Sequence, residues 1–336
     1  YHRCVDTLEK ELGLDPSPAT LTLYHDLMAR ETPESVPGRV SEKGARLVGR
    51  DDAWSSLHQT WVEAERRSRL ALVMGEAGIG KTYLAEEFTR WARREGIRTL
   101  VTNAYPAEGE LAYNPITRLL RSDPVQSKLK ILDKSWLVEL SRLIPEIKSE
   151  FPDLPQPDQL TENWQRQRLF EASARAVLAG ENKLVILLDD LQWCDQETLD
   201  WLGYLLEFDT SCQLIIIACV RIEELTADNP LLPLFSTLER RGRFTEILLD
   251  RLDLETTREL ASDLWGDLLS EEKAQSIYQE TEGNPLFIAE MVRAGFLKED
   301  PAELKIPPLV QAVIETRLNA LSPTARDIAT IAAVVG

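Results

Sequence analysis

Positive charge is scarce in this sequence: 38 Lys and Arg residues face 56 Asp and Glu, leaving a formal net charge of −18 over 336 residues. A surface so acidic matches a polyanionic duplex poorly, so any contact with DNA is expected outside these residues. Cysteine is rare as well. Cys4, Cys194, Cys212 and Cys219 show neither C-x-x-C spacing nor a companion histidine cluster, and His2, His25 and His58 are scattered. That pattern argues against a zinc site or a Ser/His/Asp array, and the expected use of the thiols is as reduced structural residues of a cytoplasmic protein. No apolar run approaches the roughly 18 residues of a membrane-spanning helix, so no membrane partner is expected. The chain opens with neither Met nor a signal-peptide pattern, and it reads as a piece of something longer. What remains is ordinary globular material: with 43% hydrophobic residues, the chain can bury a sizeable core spread over two or three domains.

The most informative stretch is Gly75-Glu76-Ala77-Gly78-Ile79-Gly80-Lys81-Thr82, which fits G-x-x-x-x-G-K-[ST] at every fixed position. The context fits too. Leu70 to Met74 reads as a buried strand and Tyr83 to Phe88 as a helix, giving the strand, loop and helix order of a Walker A motif. Glycines let backbone N–H groups turn toward an anion, and the helix N-terminus behind them adds partial positive charge. The expected ligand is ATP or ADP held by Gly75 to Tyr83, with Lys81 on the β- and γ-phosphates and Thr82 offering a hydroxyl to Mg²⁺. The alternative is a glycine-rich turn with no ligand.

A second motif closes Leu184-Val185-Ile186-Leu187-Leu188-Asp189-Asp190. Its unbroken apolar run suits a strand buried on both faces of a parallel sheet, and acids at the strand's C-terminal end lie where such sheets place ligands. As a Walker B motif, it assigns Asp189 to the metal through water and Asp190 to the water that attacks the γ-phosphate. Further strands are expected at Arg98–Thr102, Leu214–Val220 and Phe244–Leu249, with residues 116 to 180 mostly helical between the first of these and the acid-bearing strand. Arg221, directly after a buried strand, has the reach and bidentate chemistry to sense a γ-phosphate. Beyond Arg251 the pattern turns wholly helical: Glu255–Trp265, Ser270–Thr281, Pro285–Ala294 and Pro308–Leu321.

With these motifs in place, the sequence resembles the STAND class, the signal-transduction ATPases with numerous domains, which are AAA+-like P-loop ATPases. Arg46-Leu47-Val48-Gly49-Arg50-Asp51 is similar to the hhGRE element that lies against adenine in that class. Asp51 replaces the usual Glu and Ala53 stands where a second acid is common, so the resemblance implies base contacts only for Val48, Gly49 and Arg50. Leu191-Gln192-Trp193-Cys194-Asp195 after the acid pair resembles the DDLQWAD wording of bacterial members, with Cys194 in place of Ala. Arg221 falls at the sensor 1 position. Gly283-Asn284-Pro285 resembles the GxP turn, whose proline touches the bound base, which implies that role for Pro285. At the other end, Glu11 to Pro18 with Leu23-Tyr24 resembles the close of the bacterial transcriptional activation domain of large SARP-type regulators.

The expected architecture is α/β: a P-loop parallel sheet with a helical lid, preceded by a helical hairpin and followed by the start of a winged helix. The boundaries expected are 1–31 for the hairpin, 32–45 for a linker, 46–251 for the ATPase domain, 252–307 for the lid and 308–336 for the winged helix. The resemblance implies a weak ATPase acting as a nucleotide switch in a transcriptional regulator, with catalytic roles for Asp190, Lys81 and Arg221 and Mg²⁺ on Thr82 and Asp189. It also implies DNA contact only through domains outside this stretch, and it leaves room for nucleotide-dependent self-association. Two other readings stay open: an AAA+ motor or loader, and the same switch attached to a cyclase or kinase output.

Overall fold

The computed structural model describes residues 47–105, 112–160, 162–208, 211–226 and 229–296. The expected hairpin, linker, final helix and winged-helix start fall outside the described residues. Five strands, β1 (Arg69–Gly75), β2 (Arg98–Asn103), β3 (Lys183–Asp189), β4 (Gln213–Arg221) and β5 (Phe244–Leu248), form one parallel sheet in the order β2-β3-β4-β1-β5. The apolar runs of β1, β3 and β4 are continuous because both faces of the sheet are covered. Leu70, Leu72, Leu184, Ile186, Leu188, Leu214 and Ile216 point into one core layer. Ala71, Val73, Val185, Leu187, Ile215, Ile217 and Cys219 point into the other. A burial of about 1.5–3 kcal/mol for each large aliphatic side chain makes these central strands the stable frame of the molecule.

The second layer is closed by α1 (Asp51–Glu63) and α2 (Lys81–Arg94). Leu57 and Trp61 of α1 are buried, and Trp54 packs edge-on against Phe88 of α2 with ring centroids 5.7 Å apart. His58 stands between Phe88 and Trp91, and burial among these rings pushes its imidazole below the usual histidine range. The first layer is covered by α3 (Asn114–Arg121), α4 (Asp123–Gln126), α5 (Lys134–Leu140), α6 (Ile147–Glu150), α7 (Asn163–Leu178), α8 (Gln196–Glu207) and α9 (Leu231–Arg240). The stretch expected to be mostly helical is therefore helical in short pieces. Pro124, Pro145, Pro152, Pro155 and Pro157 each remove a backbone donor, so no helix runs far there. α7 escapes this because no proline falls between Asn163 and Leu178, and its N-terminus carries a capping box, with Glu162 N–H donating to Gln165 Oε1 at 3.0 Å.

After β5 the chain forms a three-helix lid of α10 (Leu254–Trp265), α11 (Glu271–Thr281) and α12 (Pro285–Arg293) around a small core of Leu252, Ala261, Leu269, Ile277, Ile288 and Val292. Each lid helix starts on a polar cap: Asp253 accepts from Thr256 N–H, Ser270 from Lys273 N–H and Asn284 from Leu286 N–H. Among the described residues, no helix is long and apolar enough to cross a membrane.

Candidate functional site

The loop between β1 and α2 lies at the C-terminal edge of the sheet, where strand order reverses around β1 and parallel sheets place their ligands. Lys81 is the first residue of α2, and its side chain folds back into the loop so that Nζ donates to Gly75 O at 2.9 Å and Glu76 O at 2.8 Å. The residue is 7% exposed, and burial holds its ammonium below the ordinary lysine range. Thr82 Oγ1 donates to Asp189 Oδ2 at 2.9 Å, so the hydroxyl and the carboxylate assigned to a metal stand side by side across the loop. Two hard oxygen donors in contact at the mouth of the loop suit Mg²⁺, and they are the residues that would hold it, directly or through water. Burial raises the Asp189 carboxyl above the usual range, a cost that a divalent cation would remove.

Asp190 departs from the expected strand. β3 stops at Asp189, and Asp190 takes a left-handed conformation with φ of 53° that swings its carboxylate toward β4. There it accepts from Gln192 Nε2 at 2.8 Å and from Arg221 Nε at 3.2 Å and Nη2 at 3.4 Å. The Arg221 guanidinium lies 4.7 Å from the centroid of the Trp193 ring, whose Nε1 donates to Glu224 Oε2 at 2.7 Å. Base and sensor candidates are thus brought together as an ion pair, on a platform of Gln192, Trp193 and Glu224. Gln192 and Trp193 were visible in the sequence as wording only, and Glu224 gave no signal there.

The lid reaches the same loop. Asn284 Nδ2 donates to Ala77 O at 3.1 Å, and Leu286 N–H is 3.2 Å from Gly78 O. Arg251, on the connection from β5, donates to Glu76 Oε2 at 2.9 Å and also pairs with Glu282 at the end of α11. Gly78 is needed for this closeness: its φ is +79°, and a Cβ there would come within 2.9 Å of Leu286 Cβ. Pro285 sits between the two residues that make the lid contacts. Gly283 is tighter still, with φ of +75° and a would-be Cβ only 1.9 Å from Leu252 O, on the connection that leads into the lid. Gly283→Ala is therefore expected to destabilise the lid by about 2–3 kcal/mol, through backbone strain and a displaced Leu252–Gly283 hydrogen bond. Hydrogen exchange over α10 to α12 checks this, and unchanged protection would refute it.

Beside the loop lies a cleft of about 460 Å³ lined by Gly49, Arg50, Ala53, Leu248 to Asp253 and Thr256. Arg50 spans it, donating to Asp250 O at 2.8 Å and Ile79 O at 2.9 Å, while Val48 is buried and Gly49 takes a φ of 65°. Of the residues assigned to the base by resemblance, Gly49 and Arg50 line this cleft between the phosphate loop and the entrance to the lid, and Val48 and Pro285 do not.

A glycine loop that runs from a central parallel strand into a helix, closes over a buried lysine and faces an acid at the tip of β3 defines a P-loop nucleoside-triphosphatase fold. The chain belongs to the AAA ATPase domain family, whose model matches residues 46–217. It is 24% identical over 328 residues to an uncharacterized protein of Rhizobium meliloti (strain 1021), covering 87% of this chain and 30% of that protein. The chain thus spans less than a third of the length of that relative. Among solved structures it is similar to the Aeropyrum pernix ORC1 protein in complex with DNA, at 13% identity and a TM-score of 0.45, covering 84% of this chain and 70% of that one. It is also similar to the replication initiator DnaA bound to AMPPCP and single-stranded DNA, at 14% identity and a TM-score of 0.45, covering 75% of this chain and 62% of that one. A third likeness is to domain III of the Thermotoga maritima replication initiation protein DnaA, at 14% identity and a TM-score of 0.41, covering 82% and 93%.

Proposed function

We propose that this chain is the nucleotide switch of a larger bacterial transcriptional regulator of the STAND class: it binds Mg-ATP, hydrolyses it slowly, and moves its lid with the nucleotide state. The observation that carries this reading is the direct contact of lid and phosphate loop, through Asn284 on Ala77 O, Leu286 on Gly78 O and Arg251 on Glu76. A ligand shifts a conformational equilibrium only through contacts that differ between the two states, and here any change in the loop is felt at once by the lid. The wording around Asp189-Asp190 and Gly283-Asn284-Pro285 supports the STAND assignment, and the net charge of −18 supports DNA contact through domains beyond this stretch. In this reading residues 46–251 are the ATPase domain, 252–307 the lid and 308–336 the start of a winged helix, with the activation-domain hairpin at 1–31. Val48, Gly49, Arg50 and Pro285 serve the base, Gly75 to Tyr83 the phosphates, and Thr82 and Asp189 the magnesium. Magnesium supplies charge neutralisation on the phosphates, Lys81 and Arg221 bind their oxygens, and Asp190 orients the attacking water and takes its proton.

A switch and a motor differ in what they do with time. The switch is expected to hold nucleotide through many minutes and to show one proteolysis pattern after Arg251 with ADP and another with a non-hydrolysable triphosphate analogue. Steady multiple turnover by an assembled ring, with the same cleavage pattern in both states, would replace the switch by an AAA+ motor or loader.

A further inference from the structure

A carboxylate sits on the phosphate loop. Glu223, in the short 3-10 turn Ile222–Glu224 that follows β4, places Oε1 2.9 Å from the backbone nitrogen of Ala77, which donates to it. Backbone N–H groups of such a loop are the groups an anion would engage, and here one of them engages an anionic side chain of the same chain. The position within the loop matters. Ala77 N–H meets the turn after β4, which starts next to Arg221, and Arg221 pairs with Asp190, so a phosphate within reach of those two residues would come in beside Glu223. Glu223 and a terminal phosphate would therefore draw on the same backbone donor.

We infer that Glu223 is a specificity-determining residue that sets this site's preference for a nucleoside diphosphate over a triphosphate, by holding the Ala77 N–H against a γ-phosphate. This deepens the nucleotide-switch reading and rests on it. A diphosphate held at the N-terminus of α2 leaves the Glu223 contact in place. A triphosphate brings a further negative group against the carboxylate and competes with it for the Ala77 N–H, and like charges a few ångströms apart repel even at an exposed position. Displacement pulls on the chain between β4 and α9, so the third phosphate is read by a segment separate from the lid. Arg221 lies two residues before Glu223 and is paired with Asp190, so a phosphate that reaches the Arg221 guanidinium would compete with that carboxylate as well.

The experiment is a calorimetric titration of the full chain with ADP and with a non-hydrolysable ATP analogue, both with Mg²⁺, for the parent, Glu223→Gln and Glu223→Ala. Glu223 is exposed and makes no core contact, so the variants fold as the parent does. Glutamine keeps an acceptor for Ala77 N–H and removes the charge; alanine removes both. Both variants are expected to bind the triphosphate analogue about tenfold more tightly while ADP affinity changes less than about twofold. Equal tightening for both nucleotides, or no change for either, would overturn the inference while leaving the nucleotide site intact. A parent protein that binds neither nucleotide would overturn the site assignment itself.

Discussion

Lys81→Ala is expected to weaken binding of Mg-ATP roughly 10²- to 10³-fold, with the fold retained. The size of the effect follows from how the ammonium is held. Its charge is buried at 7% exposure, and two loop carbonyls, Gly75 O and Glu76 O, orient it from behind. Much of its desolvation is therefore complete before a phosphate arrives, and the ion pair that then forms lies in a medium of low effective dielectric. Alanine removes the charge and leaves two carbonyls without their donor, a loss of about 1 kcal/mol per bond that should appear as a modestly lower melting temperature. Lys81→Arg is not a rescue: the planar five-donor fork is too broad for a space that a single ammonium fills between two carbonyls. Calorimetric titration measures the first effect and thermal melting the second. Unchanged affinity in a folded Lys81→Ala protein would remove the phosphate-loop assignment.

The second large effect is kinetic. Asp190→Asn should leave Mg-ATP bound and slow single-turnover hydrolysis by about 10²-fold or more, the range for a group that takes a proton in the transition state. Asparagine preserves the left-handed backbone that Asp190 adopts, since it tolerates that conformation as well as aspartate does. Its one oxygen can still accept from Gln192 Nε2 and Arg221 Nε, while its NH2 cannot accept from Arg221 Nη2, so most of the geometry is kept and basicity lost. Binding and chemistry therefore separate in this variant, whereas Lys81→Ala loses both. Equal single-turnover rates in the two proteins would strip Asp190 of its role.

The strands and the phosphate loop could be read from residues alone because their physics is local. Five consecutive apolar residues between Leu184 and Leu188 admit few structures besides a strand covered on both sides, and glycines at Gly75, Gly78 and Gly80 around a lysine mark a loop of one kind. The two motifs assign Thr82 and Asp189 to the same metal, and the fold sets the two side chains in hydrogen-bond contact. The contacts that join the phosphate loop to distant segments did not follow from any motif. Ala77 with Glu223, Ala77 with Asn284 and Glu76 with Arg251 join residues far apart in sequence that share no periodicity, and each depends on the path of a loop. The ion pair of Asp190 with Arg221 was hidden for another reason: both residues had been given ligands, and nothing in a linear pattern shows two ligand-directed side chains turned toward each other. The breaks between α3 and α7 were present as prolines, yet helical spacing of apolar residues persists across them and masks the boundaries.

Strand order has a consequence in time. β1 carries the phosphate loop and lies between β4 and β5, both of which come late in the chain. A ribosome that has finished Gly75 must add roughly 140 residues before Gln213 and the rest of β4 emerge, about 7 to 30 s at ordinary translation rates. Throughout that interval a central, buried strand pair of the sheet has one member made and the other still unmade, with unpaired backbone along both edges of β1. The newborn chain is then at its most vulnerable to association with other nascent chains, and a holding chaperone should matter to its yield far more than to its final stability. β4 covers one edge of β1 and the other stays open until β5 is made, so the sheet around the phosphate loop is complete only once Phe244 to Leu248 have been added.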